Sequence, residues 1–502
     1  MKPPAPTVPA PLAAGHSKDL QSTRNPLIVW LRQDLRLSDN PALASACESG
    51  RPVLLVYILP ERDSPWFPGE ASRWWLHHSL ASLDAQLSPL QNRLVLRRGD
   101  PARELVSVAR DVGAAGVYWN RCYEPRERAV QDQAEYELTK WGHSVHTFDG
   151  SLLVDPARFL TKNSTPYQVF TPFWRAACLR DAFSPPVAAP TRIPKPHCWP
   201  HGLQLEDLEL LPGRNWTTGL AACWEPGEAA ALKRWREFLE SNLETYQATR
   251  NLPALAGTSR LSPHLHFGEI TPRRVYHDTV RSLAAISCNS MDYENQTACF
   301  LSEIGWREFS YYILYHFPRT PHEPLRSSFA DFPWESRPNW LRAWQQGMTG
   351  YPIVDAGMRE LWQTGWMHNR VRMIVASFLT KDLQIHWSEG ARWFWDTLVD
   401  ADLASNTLGW QWASGCGADA APYFRIFNPV LQSQKFDPQG DYLRRWCPEL
   451  ARLPRKYLHD PGSAPSSELR CAGVKLGRDY PPPIVDHAVR RDLALSKWKN
   501  LR

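Results

Sequence analysis

The sequence predicts a doubly wound α/β domain followed by a larger all-helical domain. Five short runs rich in Val, Ile, Leu and aromatic residues alternate with helical stretches near the start of the chain. This alternation is typical of a parallel sheet with helices on both faces. After residue 225 such runs vanish and helical periodicity dominates. With 502 residues, the chain is long enough for two or three domains with large cores.

The predicted strands come in order as LIVWLR, VLLVYIL, RLVLRR, GVYWN and SVHTF, at residues 27–32, 53–59, 93–98, 116–120 and 144–148. Helical segments such as residues 72–87 separate them. The strands are apolar throughout, as expected when both faces of a sheet are buried. Such sheets bind ligands beyond the carboxyl ends of their strands. No GxGxxG follows the first strand, so the sequence does not predict a dinucleotide there.

Composition divides the chain into four parts. Residues 1–25 carry five prolines in their first eleven positions and lack the apolar core of a secretory signal, which predicts a disordered tail and a cytoplasmic protein. Residues 26–155 form the α/β domain. Prolines interrupt residues 156–225, which we interpret as a long linker without regular elements. Residues 226–502 form the helical domain, with helices predicted over the following segments: 228–241 and 351–383.

Several classes of protein are excluded by composition. No stretch reaches the roughly 18 consecutive apolar residues of a membrane-spanning helix, so no membrane partner is expected. The ten cysteines form no CxxC pair, which argues against a zinc site and against a dense disulfide framework, and no metal is expected. Residues 156–502 hold 40 Lys and Arg against 34 Asp and Glu, whereas residues 26–155 hold 14 against 17. A polyanionic partner would therefore bind the second part.

One loop has the composition of a phosphate site. The segment GTSRLSPHLHFGEITP places Thr258, Ser259 and Ser262 around Arg260, just before a helix that would begin after Thr271-Pro272. Hydroxyls, free backbone N–H groups and a guanidinium together can hold a phosphate. Loops rich in Ser and Thr are also common helix caps, so the pattern alone leaves both interpretations open.

Two predicted helices place polar and aromatic side chains on one face. In FLSEIGWREF, Glu303, Trp306 and Arg307 stand at i, i+3 and i+4. The face is either a ligand surface or an ion pair beside a core Trp. The same spacing joins three residues of WMHNRVRM: Asn369, Arg372 and Met373.

The segment DADLASNTLGWQW contains two carboxylates, Asp400 and Asp402, ahead of Asn406. Paired carboxylates can bind a metal or act as an acid/base pair. No further His, Asp or Glu completes a metal shell at the usual spacing, and pairing of Asp400 with Arg372 suits the neighbourhood better. A helix cap beside core tryptophans is the alternative.

Six motifs taken together carry a family resemblance. They are VWLRQDLRLSDNPAL, GTSRLSP, WREF, TGYPIVDAGMRELWQTGWMHNRVRM, DADLASNTLGWQW and YFRIFNPVLQSQKFDPQGDYLRRWCPEL. In this order, over about residues 27–490, the chain resembles the photolyase/cryptochrome superfamily. It is most similar to prokaryotic (class I/III-like) cyclobutane pyrimidine dimer (CPD) DNA photolyases. The resemblance implies an antenna domain, a linker and a helical FAD-binding domain. It also implies a lyase that repairs DNA by electron transfer from photoexcited reduced FAD.

The resemblance also implies which residues hold FAD. Its phosphates would lie near the loop from Thr258 to Ser262, and Asn406 would face flavin N5. Asp400, paired with Arg372, and Asp402 would lie at the flavin and the ribose. The implied cofactor residues are Tyr246, Thr258, Ser259, Arg260, Leu261, Ser262, Phe300, Arg372, Asp400, Ala401, Asp402 and Asn406.

Substrate residues follow from the same resemblance. The implied pocket for the dimer comprises Glu303, Trp306, Asn369, Met373 and Trp412. The implied DNA contacts are Arg250, Arg307, Arg370 and Gln432. Three indoles would relay electrons to the flavin, namely Trp410, Trp387 and Trp334. This relay gives a partial reason for the unusual total of 24 Trp.

Some alternatives stay open within the superfamily. A plant-type cryptochrome would carry an acidic residue in place of Asn406, and a (6-4) photolyase would carry His in place of Asn369. The alternative function is therefore a cryptochrome-type blue-light photoreceptor without repair activity. The short cryptochromes that act on single-stranded DNA are a further alternative, against which Trp306 and Met373 both argue.

The antenna and the partners are also implied. YEPRER keeps Glu127 but has Arg126 where some folate-binding members have Asn, so methenyltetrahydrofolate is the first expectation, a deazaflavin the second and no antenna the third. The expected partner is UV-damaged DNA containing pyrimidine dimers. The expected state is a monomer in the cytoplasm, associated with the prokaryotic nucleoid when bound to DNA.

Overall fold

A five-stranded parallel sheet forms the first part of the chain. The computed structural model describes residues 25–62, 64–180, 183–213, 216–285 and 291–500. The strand order is β3-β2-β1-β4-β5, with bounds β1 Leu27–Leu31, β2 Val53–Leu59, β3 Leu94–Arg98, β4 Gly116–Asn120 and β5 Ser144–Phe148. The predicted sheet is confirmed, and each strand lies within one residue of its predicted bounds. Except for Asn25, the predicted tail lies outside the described residues.

Helices cover both faces of this sheet. They are α1 Pro41–Glu48, α2 Glu70–Leu87, α3 Pro101–Asp111 and α4 Pro125–Lys140. Alternate residues of a strand point to opposite faces, and two separate apolar clusters result. Val29 and Leu55 pack with α1 and α2 on one face, whereas Ile28 and Leu54 pack with α3 and α4 on the other. The α/β fold class is therefore confirmed.

The linker contains regular elements that the sequence analysis missed. Helices α5 (Phe170–Arg180) and α6 (Thr218–Cys223) lie in it, with a 3-10 turn at Glu206–Leu208. The prediction of a linker without regular elements was wrong because its prolines are concentrated at residues 185–200, between the two helices. The domain boundaries at residues 155 and 225 stay predictions.

The rest of the described chain is helical, as predicted. Its α-helices are α7 Glu228–Ser241, α8 Tyr246–Thr249, α9 Ser262–His266, α10 Pro272–Ala285, α11 Met291–His316, α12 Pro338–Gln345, α13 Pro352–Thr364, α14 Asn369–Ser377, α15 Trp387–Thr397, α16 Leu403–Ser414, α17 Pro429–Phe436, α18 Asp441–Trp446, α19 Arg455–Leu458, α20 Ser466–Ala472 and α21 His487–Lys499. A π-helix at Phe378–Asp382 continues α14. None of the helices in the described ranges combines the length and apolar character needed to cross a membrane.

The segment predicted to be helical over residues 351–383 is two helices. Gly365 ends α13 in the left-handed conformation, with φ +66°. The chain then turns before α14 begins, and the side chain of His368 accepts the backbone N–H of Arg370 as its cap. This break places the first turn of α14, which carries Asn369, at the edge of a cavity.

The helical part of the chain packs against the carboxyl edge of the sheet. Buried Arg36 donates to the carbonyl oxygens of Gly268 at 2.9 Å and Gly150 at 2.7 Å. Gly268 has φ +66°, and a Cβ there would lie 2.0 Å from the carbonyl oxygen of Gln33, so glycine is required at this junction. The edge that often binds ligands in such sheets therefore also contacts the helical part of the chain.

Candidate functional site

A cavity of about 530 Å³ lies among helices α11, α14, α15 and α16. It brings together 15 of the residues singled out from the sequence: Arg250, Ser262, Glu303, Trp306, Arg307, Asn369, Arg370, Arg372, Met373, Asp400, Ala401, Asp402, Asn406, Trp410 and Trp412. These residues come from segments up to about 160 positions apart. The two mixed helix faces predicted from spacing therefore line one cavity.

Nine of the residues implied in FAD binding, DNA contact or the electron relay do not line this cavity. They are Tyr246, Thr258, Ser259, Arg260, Leu261, Phe300, Trp334, Trp387 and Gln432. Tyr246, Leu261 and Phe300 are buried in a neighbouring apolar cluster. The guanidinium of Arg260 lies between the rings of Trp224 and Trp366, 4.3 and 4.7 Å from their centroids.

Two carboxylates of the cavity have different partners. Asp400 accepts two hydrogen bonds from Nη2 of Arg372, at 2.8 and 3.1 Å, as predicted. Asp402 caps α16 by accepting the backbone N–H of Ser405 at 2.8 Å. Its other oxygen accepts bonds from Tyr311 Oη and from Nδ1 of His266.

These contacts fix the charge of Asp402. Burial alone would raise the pKa of this carboxyl, but the hydrogen bond and charge of His266, the charge of Arg307 and the hydrogen bond from Tyr311 lower it well below its ordinary value. Asp402 is thus an ionised acceptor at the cavity wall. His266 and Tyr311 were not singled out from the sequence. Tyr311 follows Arg307 by one helical turn, a signal that the periodicity contained.

The polar rim of the cavity is held by specific bonds. Arg250 donates to Oε1 of Glu303 at 2.5 Å. Nη2 and Nε of Arg370 donate to Oδ1 of Asn251, at 2.7 and 3.1 Å. Two of the cations predicted to contact phosphate are thus oriented before any ligand binds.

Glu308 ties the cavity helix α11 to the segment that follows β5. Its carboxylate accepts the backbone N–H groups of Leu153 and Val154, at 2.7 and 3.1 Å. Burial raises its pKa to about 7, although Arg307 and the two backbone bonds oppose the shift. The residue lies beside the cavity without lining it.

The side chain of Asn406 makes a hydrogen bond to the neighbouring helix. Its Nδ2 donates to the carbonyl oxygen of Ala391 at 3.0 Å, which joins α16 to α15. Gly390 precedes that contact, and a Cβ there would lie 2.1 Å from the ring of Trp410. The close approach of the two helices therefore requires glycine and sets Asn406 in the cavity wall.

The three tryptophans of the implied relay differ in their exposure. Trp410 lines the cavity, Trp387 is buried in the same apolar core, and Trp334 is partly buried against that core. The ring of His386 lies 5.3 Å from both the Trp387 and the Trp334 rings. Only Trp334, the outermost residue of the implied relay, is therefore partly exposed, whereas Trp410 and Trp387 are both buried.

Comparison with known proteins accounts for both parts of the chain. Residues 27–195 match the family model described as DNA photolyase, and residues 300–500 match the FAD binding domain of DNA photolyase. The fold and the cavity thus define an α/β-plus-helical protein with an FAD-binding domain. The chain belongs to the photolyase/cryptochrome family.

Individual relatives support this assignment. The chain is 48% identical over 474 residues to a deoxyribodipyrimidine photo-lyase of Agrobacterium fabrum, covering 94% of this chain and 97% of the relative. It is 41% identical to Cryptochrome-1 of Arabidopsis thaliana, covering 91% of this chain and 68% of that relative. A crystal structure of a class III photolyase from Agrobacterium tumefaciens superposes with a TM-score of 0.91 at 46% identity, covering 98% of this chain and 99% of that one.

Proposed function

We propose that this chain is a light-dependent DNA repair enzyme that splits cyclobutane pyrimidine dimers. One observation carries the proposal: a single cavity is lined both by residues implied to hold FAD, such as Asp402 and Asn406, and by residues implied to hold the dimer, such as Glu303 and Trp306. A donor and a flipped base can meet only in such a shared space.

The residues present fit FAD. The cavity offers the ionised acceptor Asp402 and the Asp400–Arg372 pair. Nε of Arg260 is buried and has no hydrogen-bond acceptor among the described residues, as a donor awaiting a phosphate would be. When bound, reduced and photoexcited FAD supplies the electron that splits the cyclobutane ring and afterwards receives it back.

The chain's own residues would bind and orient the dimer. Glu303 would bind the pyrimidine dimer: as the carboxylate paired with Arg250 it can accept a ring N–H, and only its acid form could donate to a carbonyl and stabilise the charge that arrives with the electron. Trp306, Met373 and Trp412 supply apolar and aromatic surface for flipped bases. Arg250, Arg307 and Arg370 would contact phosphates, with Gln432 beyond the cavity, so the proposed partner is UV-damaged DNA.

The roles of the tryptophans and of the α/β domain belong to the same proposal. Trp410, Trp387 and Trp334 would carry electrons from the surface to restore the reduced flavin. Residues 26–155 would hold the antenna, with methenyltetrahydrofolate as first choice near Glu127. Glu127 faces Arg32, the residue after β1, at 3.9 Å, so a chromophore there would compete with this weak pair. The protein would act as a monomer.

The similarity to plant cryptochromes supports a second candidate, a blue-light photoreceptor without repair activity. Asn406 favours repair because an amide gives the flavin no readily transferable proton, whereas a protonated Asp would.

A repair assay on matched variants tests the proposal. Protein with chemically reduced FAD is mixed with a duplex that contains one thymine dimer, in blue light and in the dark. We expect loss of the dimer only in light, and at least a tenfold slower loss with Glu303→Gln. Glu294→Gln, an exposed position on the same helix, should repair normally. Bound DNA that is not repaired in light would support the photoreceptor.

A further inference from the structure

Phe170 stacks on the implied substrate residue Trp306. The two ring centroids are 3.9 Å apart and the planes differ by 11°. Phe170 is buried at the first position of α5, in the linker, while Trp306 lines the cavity on α11. Phe170 covers one face of the indole and Phe309 approaches it edge-on, with centroids 5.9 Å apart, so the part of the indole that lines the cavity is left for a ligand.

The start of α5 is fixed on both sides of this stack. The backbone N–H of Phe170 donates to Oδ2 of Asp419 at 3.3 Å, and the N–H of Asp419 donates to the carbonyl of Gln168 at 3.1 Å. Asp419 lies in the loop after α16. On the other side Gly305 abuts the indole of Trp174, since a Cβ there would lie 2.5 Å from Cδ2. The linker helix is therefore tied directly to the wall of the cavity.

We propose that Phe170 is a positioning residue for damage recognition. By stacking on Trp306 it holds the indole in one orientation, so that less rotamer freedom is lost when a flipped pyrimidine dimer packs on the free face. Undamaged duplex keeps its bases stacked and does not use this surface. Phe170 thus sets the preference for damaged over undamaged DNA. This inference rests on the proposed function.

Matched substitutions on α5 separate this role from ordinary packing. Phe170→Leu removes the aromatic face but keeps an apolar side chain, and Phe170→Tyr keeps the ring. Phe173→Leu is the control, because Phe173 is buried in the same cluster and contacts Phe309 and Tyr312. Dissociation constants of the FAD-loaded protein are measured for a duplex with one dimer and for the same duplex without it. Phe170→Met replaces the Leu variant if that protein fails to retain FAD.

We expect Phe170→Leu to weaken binding of the damaged duplex about threefold to tenfold and to leave undamaged binding unchanged. Phe170→Tyr should retain the preference for the damaged duplex. Phe173→Leu should lower the thermal midpoint of unfolding but should also retain that preference. An unchanged preference in Phe170→Leu, or an equal loss in Phe173→Leu, would overturn the inference and leave the proposed function standing. A wild-type protein without any preference would overturn both.

Discussion

Arg250 and Glu303 form an ion pair in the cavity wall, with Nη2 of Arg250 2.5 Å from Oε1 of Glu303. Sequence resemblance assigns the two residues separate tasks, one on phosphate and one on the dimer. The structure couples them, because the guanidinium holds the carboxylate in place before DNA arrives. Both side chains are partly exposed, at 21% and 29%, so DNA can reach either of them.

The coupling predicts non-additive effects on binding. Arg250→Ala and Glu303→Ala should each weaken binding of dimer-containing DNA. The loss of binding free energy in the double variant should be smaller than the sum of the two single losses, by about 0.5 to 3 kcal/mol, because either single substitution already breaks the ion pair. Titrations of the four proteins with one labelled duplex measure this difference. Strict additivity would mean that the ion pair has no role in the complex.

Asn406→Asp should change the photochemistry while FAD stays bound. An ionised carboxylate in place of the amide would face the carbonyl of Ala391, so burial and that contact favour the protonated acid. Such an acid can donate a proton to a reduced flavin, so more of the protonated flavin species should accumulate and repair should fall. Absorption spectra under continuous blue light with a thiol donor, followed by a repair assay on the same sample, measure both effects. Asn339→Asp is the exposed control. Unchanged spectra would show that Asn406 does not face the flavin.

Trp387→Phe should abolish light-driven reduction of oxidised flavin by external donors. The substitution removes an oxidisable indole and retains a buried aromatic ring, so the fold should persist. Repair by protein whose FAD has been reduced chemically should be unchanged, because the relay and the repair step use different electrons. Trp119→Phe, buried in the α/β domain, is the control for loss of a core indole. Failure of prereduced Trp387→Phe to repair bound DNA would contradict the assignment of this residue to the relay alone.

Glu308→Gln should remove a pH dependence of stability. The folded protein raises the pKa of Glu308 from 4.5 to about 7, so the native state prefers the protonated form. The contribution of Glu308 to the free energy of unfolding therefore falls as the pH rises from 4.5 to about 7, by up to about 3 kcal/mol. The free energy of unfolding of the variant, minus that of wild type, should therefore be larger at pH 8 than at pH 5. Urea unfolding at both values, with equal FAD content, measures the change. A constant difference between the two proteins would contradict it.

Local sequence patterns were sufficient to predict much of the fold and which residues share a face on the helices that line the cavity. Strand period and apolar runs located all five strands, and the i, i+3, i+4 spacing grouped Glu303 with Trp306 correctly. One more turn along the same helix reaches Tyr311, which the spacing could have identified. The linker helix α5 was missed because nearby prolines outweighed its short apolar period.

Contacts between distant segments could not be predicted in this way. Phe170 meets Trp306 across 136 positions, and His266 meets Asp402 across the same separation within the helical domain. Helix and strand periodicity relates residues that are close in sequence, so it cannot predict either of these contacts. Arg260 lies in a loop that the composition did single out, yet its placement between two indoles depends on the linker residue Trp224.

The most direct measurement follows one dimer-containing duplex through a dark and a light period with the same protein sample. Its FAD is reduced beforehand, binding is recorded in the dark, and restored thymines are then quantified by chromatography during blue illumination. We predict preferential binding of the damaged duplex and no chemical change in the dark, followed by stoichiometric restoration of thymines in light. Tight binding with the dimer intact after illumination, while the flavin stays reduced, would contradict repair in this cavity.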